Sequence, residues 1–371
     1  MKKQLKFIDL FSGCGGFSAG LEMAGHKCLL GVDFDEAAVK SFARNHPKAH
    51  ALHMDIRKLT KTKLQKLIDF DQVDMVVGGP PCQGFSTVGK GDVDDQRNAL
   101  FQQFVRIVRL TNPKVILFEN VTGMLAKKNE FILRRIFRSF EKLGYIMDAQ
   151  VMSADLYGVP SRRRRTIIMG TKGTLPAFPA PTHGQNKHLV SVQKAFKQLS
   201  KYKKLQNHNL ESAKIANKLD EKRLQHIPAG AGIRYEKDEK AYLPKRLRYN
   251  INWNEINEKR FRQTRLQRVP LDGPAPTILT SRTMYYHPIE ARYLTAREAA
   301  CLQSFPYNFI FEGSTTAQFR QIGNAVPPLL AKSLGEQLHK IEFNTFKPTQ
   351  MKKFSKSKDL SKAAFHYKTV L

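Results

Sequence analysis

The chain is poor in acid, cysteine and tryptophan, and it has no long apolar run. Its 371 residues hold 32 Asp and Glu against 62 Lys and Arg, a formal net charge of +30. Solubility alone needs a far smaller charge. A surplus of this size therefore points to a polyanionic partner, and nucleic acid comes first. The four cysteines, Cys14, Cys28, Cys82 and Cys301, are scattered, with no spacing typical of a metal site. Free thiols in a reducing, cytoplasmic setting are expected, with no metal and no disulfide framework. The basic start is not followed by an apolar segment, so neither a signal peptide nor a membrane span is expected. No internal repeat appears. What remains is 41% hydrophobic residues, enough for a core in one large domain or two.

The stretch Val76-Val77-Gly78-Gly79-Pro80-Pro81-Cys82-Gln83-Gly84-Phe85-Ser86 organises the rest. The apolar run from Val73 to Val77 reads as a buried strand. Gly78 and Gly79 end it, Pro80-Pro81 make a stiff turn, and Cys82 is held at the strand mouth. Ligands of open α/β sheets bind at such strand ends. Alone, such a cysteine is equally well read as a small buried loop residue.

Upstream, Leu5–Leu10 is a strand that runs into Phe11-Ser12-Gly13-Cys14-Gly15-Gly16-Phe17 and a helix. Glycines there let a ligand approach backbone at a helix N-terminus. The spacing is not that of a dinucleotide-binding fingerprint. Cys28–Val32 is a second strand ending at Asp33, the place where an acid accepts from ribose hydroxyls; the competing role is a helix cap. His50–Met54 leads a third strand into Asp55-Ile56. Downstream, Ser86–Asn98 reads as a mobile loop over the site. Leu100–Leu110 and Glu130–Leu143 read as helices, and Lys114–Phe118 as a strand ending in Glu119-Asn120-Val121. Arg162-Arg163-Arg164-Arg165 enters a further strand as a phosphate or base clamp. From 171 to 288 the strand–helix rhythm stops. Gln198–Asn209 reads as a flexible excursion, and Lys245–Tyr249, Trp253 and Arg260–Arg268 mix cations with aromatics in a way that suits DNA contacts. Thr295-Ala296-Arg297-Glu298 opens a capped helix, and Pro327-Pro328 begins the last one. The expected division is 1–170 catalytic, 171–288 a smaller domain, 289–343 a return to the first, and 344–371 a basic disordered tail.

Taken together the residues resemble the DNA (cytosine-5) methyltransferases. The resemblance rests on Phe7–Gly16, Gly79–Gln83, Glu119-Asn120-Val121, Tyr157–Pro160 with Arg163 and Arg165, Arg297-Glu298 with Leu302–Pro306, and Gln321–Pro327, all in the family's order. Ser161 departs from the glutamine common at its place. The resemblance implies an α/β, Rossmann-like fold with a mostly parallel sheet and a small target-recognition domain in 171–288. It implies S-adenosylmethionine held by Phe11, Gly13, Gly15, Gly16, Phe17, Asp33, Asp55, Ile56, Pro80, Asn324 and Val326. Phe17 is expected near the adenine, Asp33 on the ribose and Asp55 on the adenine amino group. The implied partner is double-stranded DNA, contacted by Gln83, Ser86, Arg97, Arg246 and Arg248. A monomer is expected, with a restriction endonuclease as functional counterpart. The implied chemistry is covalent: the Cys82 thiolate adds to cytosine C6, Glu119 bonds N3, and Arg165 with Arg163 contacts O2 or phosphate, on a flipped base. Two other readings share the scaffold: a transfer-RNA cytosine-5 methyltransferase, and a catalytically dead DNA-binding regulator. Gly84-Phe85-Ser86 argues against the first, and intact Cys82, Glu119 and Arg165 against the second. Amino-group methylation needs no cysteine and fits less well.

Overall fold

The computed structural model describes residues 3–81, 96–185 and 187–343, apart from the side chains of 96–99 and 128. Cys82, Gln83, Ser86 and the expected tail lie outside these residues, and Arg97 is placed by its backbone alone.

In chain order the first part runs β1 (Lys6–Leu10), α1 (Gly16–Met23), β2 (Lys27–Asp33), α2 (Glu36–Asn45), β3 (His50–His53), α3 (Lys61–Leu67), β4 (Met75–Gly78), α4 (Gln96–Thr111), β5 (Val115–Asn120), α5 (Glu130–Glu141), β6 (Ile146–Ser153) and β7 (Arg164–Thr171). Among the described residues these strands form one sheet in the order β3-β2-β1-β4-β5-β7-β6. The first five pair in parallel; β7 is antiparallel to both β5 and β6. The fold is α/β and mostly parallel, as read from the sequence. The reason is visible in β4 and in most of β1 and β5, whose residues are buried on both faces. Strands covered by helices on both sides are apolar runs, not alternations. Phe104 of α4 and Phe140 of α5 meet Phe118 of β5, with ring centroids 5.3 and 5.7 Å apart.

Two local expectations change. Helix α4 starts at Gln96, so residues 96–98, expected as loop, are helical. Strand β6 had no sequence reading, because Asp148 and Gln150 interrupt its apolar residues and its order comes from pairing along the whole of β7.

The chain divides into two compact units. The larger comprises 1–157, 164–182 and 325–371, and the second 158–163 and 183–324. The return to the larger unit thus falls at 325, where the sequence reading put it at 289. A capping box announces a helix, not the core that helix joins. The second unit contains α6 (Val192–Leu199), α7 (Lys218–Leu224), β8 (Ile233–Tyr235), α8 (Glu236–Tyr242), β9 (Arg260–Arg265), α9 (Ala296–Leu302) and α10 (Thr315–Asn324). The capping box is formed: Thr295 Oγ1 accepts from Glu298 N–H, and the Glu298 carboxylate accepts from Thr295 N–H. However, α9 packs on α6 and α10. Gln198–Asn209 is no loose excursion. Arg297 donates to Gln206 O at 2.9 Å and Asn207 Nδ2 donates to Phe311 O at 2.7 Å.

Helix α11 (Pro328–Leu338) starts on a proline, as expected, and packs on α1. The two backbones approach so closely at Gly20 that a Cβ there would overlap the Pro328 carbonyl, Ala331 Cβ and Lys332 N. Among the described residues no helix is long and apolar enough to cross a membrane. Since the clash is with backbone, Gly20→Ala should cost about 1–3 kcal/mol. Chemical denaturation of the two proteins checks this; equal midpoints would refute the packing.

Candidate active site

The site is built where parallel strands end. After β1, Phe11 takes a left-handed φ of 60°, and Gly13 and Gly15 follow at 55° and 91°. Gly13 N–H donates to Asp33 Oδ2 at 2.8 Å, and Asp35 N–H to Asp33 Oδ1 at 2.9 Å. The end of β2 is thereby tied to the glycine turn. Burial pushes the Asp33 carboxyl up from its ordinary value, and these N–H bonds act against the shift. The cap of α2 is Asp35, which accepts from Ala37 and Ala38, so Asp33 does not fill the competing cap role. Asp55 does cap: it accepts from Arg57 N–H at 2.9 Å and pairs with the Arg57 guanidinium. That bond holds its carboxyl below the usual carboxylate range. Ile56 is buried.

Phe17 is 4% exposed, buried within α1. Phe34, passed over in the sequence, is 75% exposed directly after Asp33. The sequence signal for it is an aromatic directly beside a strand-end acid.

The second turn leaves β4. A Cβ on Gly78 would overlap the Leu10 carbonyl oxygen, and Gly79 N–H donates to that same oxygen at 3.3 Å. Asn120 Nδ2 donates to Pro80 O at 3.2 Å and holds the chain two residues before Cys82. Its Oδ1 accepts from Val121 N–H, and Thr166 Oγ1 donates to Val121 O. Sequence reasoning gave Asn120 no role of its own. Glu119 lies beside Gly79, with Oε2 at 3.8 Å from the place of a glycine Cβ. Its Oε1 forms an ion pair with Arg165 Nε, although the N–H is not aligned for a hydrogen bond. The two side chains are 14% and 18% exposed.

The arginine run alternates. Arg162 and Arg164 are exposed, Arg165 is half-buried on Glu119, and Arg163 is 1% exposed. Arg163 donates to Gly323 O at 2.7 Å and Asn324 O at 3.2 Å. This corrects its expected base contact: two guanidinium nitrogens are committed to backbone carbonyls within the second unit. Ser161, in place of the usual glutamine, is buried, with Oγ 3.5 Å from Gln303 Oε1.

The family model for C-5 cytosine-specific DNA methylases matches residues 5–340. The chain belongs to that family. It is 35% identical over 344 residues to the Type II methyltransferase M1.HphI of Haemophilus parahaemolyticus, covering 92% of this chain and 88% of the relative. Identity to the Type II methyltransferase M.DdeI of Desulfomicrobium norvegicum is 32% over 374 residues, covering 90% and 88%. Among solved structures, a prophage-encoded E. coli chain described as a DNA modification methyltransferase superposes with a TM-score of 0.68 at 25% identity, covering 91% and 99%.

As a member of this family the methylase is a DNA cytosine-5 methyltransferase, and S-adenosylmethionine is the methyl donor that membership implies. Its residues fit that donor. Gly13 has nothing within 4 Å of a Cβ position, and Ser12 Oγ is buried with no hydrogen-bond partner among the described residues. Open space, an unpartnered hydroxyl, an acid and an exposed ring therefore share one sheet edge. Val326 belongs to the larger unit, and Asn324 ends α10 in the second. Of the expected DNA contacts, Arg246 is exposed. Arg248 instead donates to Leu243 O at 3.1 Å and to Lys240 O, closing the end of α8. Trp253 is 7% exposed and donates to Glu239 Oε2 at 2.8 Å, which makes it core rather than a base contact.

The methylase also carries a buried acid that the sequence reading did not use. Asp9, two residues before Phe11, accepts from Ser18 Oγ at 2.7 Å, and burial pushes its carboxyl up from 3.8 to about 7. Between those two values the folded chain binds more protons at Asp9 than the unfolded chain. This group therefore makes stability fall as pH rises through that window and level off above it. Asp9→Asn should remove that component. Urea denaturation of both proteins at about pH 5 and about pH 8 measures it; an unchanged pH difference would place the proton elsewhere.

Proposed function

We propose that the chain is the modification methylase of a restriction–modification system and acts on double-stranded DNA through Cys82. The observation that carries the reading is the Glu119–Arg165 pair beside Gly79, at the head of the turn that leads to Cys82. The Type II names of its relatives support the setting, and the net charge of +30 supports a DNA partner.

Bound S-adenosylmethionine supplies an electrophilic methyl group on a sulfonium. The glycine turn, Asp33, Phe34 and Asp55 would hold it: Asp33 would accept from the ribose, Asp55 would accept from the adenine amino group, and Phe34 would offer a flat apolar face. Cytosine C5 is a poor nucleophile. Cys82 adds as thiolate to C6, and the ring becomes an enamine able to attack at C5. Negative charge then builds on the ring. Glu119 shares a proton with N3 and Arg165 steadies the Glu119 carboxylate while facing O2, so both act where charge develops. Loss of the C5 proton expels Cys82 and restores the ring. The target base must be flipped out of the stack for any of this. The second unit, with exposed cations such as Arg246, is the proposed reader of sequence.

Glu119→Gln should lower methyl transfer on the order of a hundredfold or more while DNA affinity changes little. Single-turnover methylation beside a binding titration tests this, and near-normal turnover removes Glu119 from the mechanism. A duplex with 5-fluorocytosine at the target site tests the covalent step, since fluorine cannot leave C5 as a cation. With S-adenosylmethionine the wild type should give a denaturant-resistant band. Cys82→Ala should give none, and Cys14→Ala, Cys28→Ala and Cys301→Ala should leave it in place. A transfer-RNA enzyme or a dead regulator gives no band from the wild type either.

A further inference from the structure

His46 closes the end of α2, and its side chain is 1% exposed. Its Nδ1 lies 2.7 Å from Glu22 Oε2 on α1, and its Nε2 lies 3.2 Å from Gly15 O in the glycine turn. A carbonyl oxygen only accepts, so Nε2 donates to Gly15 O, while Nδ1 faces the Glu22 carboxylate. Gly15 O also accepts Ala19 N–H at 2.8 Å, the first turn of α1. Gly15 stands at φ 91°, and a Cβ there would overlap the ring of His46 and come within 2.9 Å of Phe42. The Phe42 ring in turn packs on His46 at 4.5 Å between centroids. The imidazole thus fills the space that a side chain on the turn would take, and it grips that turn by its carbonyl. On the other side of the turn Asp33 grips Gly13 N–H.

We propose that His46 is a positioning residue for the cofactor: with Asp33 it clamps the glycine turn, and Glu22 orients the ring. The proposal rests on reading this turn as the S-adenosylmethionine site. Nothing in Asn45-His46-Pro47 signals it, because the partners lie 31 and 24 residues away. The clamp acts before chemistry, on the geometry of backbone groups that meet the ligand. Its loss should weaken cofactor binding and leave the chemical step and DNA binding alone.

The test is calorimetric titration of the full-length protein with S-adenosylhomocysteine, the demethylated product, which needs no turnover. His46→Leu should bind it on the order of tenfold more weakly, as for loss of a buried hydrogen bond. KM for S-adenosylmethionine should rise to match, with kcat and DNA affinity within about twofold of wild type. His46→Gln should recover most of the affinity, since its amide can still donate to Gly15 O. If His46→Leu does not fold, Glu22→Gln serves: it keeps an acceptor without the charge and should weaken binding by roughly threefold. Wild-type affinity in His46→Leu or Glu22→Gln overturns the proposal, as does a parallel loss of DNA affinity, which marks a general folding role. A wild type that binds no S-adenosylhomocysteine overturns the cofactor reading itself, and the proposal with it.

Discussion

The carbonyl of Leu10 is the point on which the site depends. It ends β1, it accepts the N–H of Gly79, and it leaves no room for a side chain on Gly78. Two adjacent parallel strands therefore part at the same height. One chain turns away through Phe11 at φ 60° into the glycine turn; the other turns away through Pro80. The two turns come from segments some 70 residues apart in sequence, yet they leave the sheet from one carbonyl. Any residue larger than glycine at 78 would push the two strands apart where they end. Parallel pairing does the rest, since it lines up strand ends, and with them Asp33 and Glu119, along one edge.

Around this edge each acid has a partner. Asp33 takes two backbone N–H groups, Asp55 takes Arg57, and Glu119 takes Arg165. An unanswered charge in such a place would cost far more than an exposed pair contributes.

In the second unit the guanidinium has a different use. Arg163, Arg223, Arg268 and Arg297 are all buried and donate to backbone carbonyls, for example Arg223 to Leu247 O at 2.7 Å and Arg268 to Leu224 O at 2.7 Å. Among the described residues, the regular sheet of this unit is one two-stranded ribbon, β8 with β9. Its loops have many carbonyls that no ladder satisfies, and a planar fork of donors satisfies two or three at once. Part of the basic composition that reads as DNA contact is thus internal scaffolding.

The sequence by itself determined the parallel sheet, the two turns and the acids that end its strands. Each follows from local chemistry: apolar runs for strands covered on both faces, glycine for left-handed backbone, proline for a stiff exit. It also carried the family's motifs, and with them the reaction. Tertiary structure alone decided which side chains those motifs leave free. Neighbouring arginines, 163 and 165, look alike in sequence, but one is spent on carbonyls and the other faces Glu119. Phe17 is buried in a helix, whereas Phe34 stands exposed at a strand end. Residues 289–324 read as a return to the first domain and pack with the second unit. In each case the answer lies in contacts between residues far apart along the chain. Periodicity and spacing record which way a residue's own element turns, not what comes to meet it.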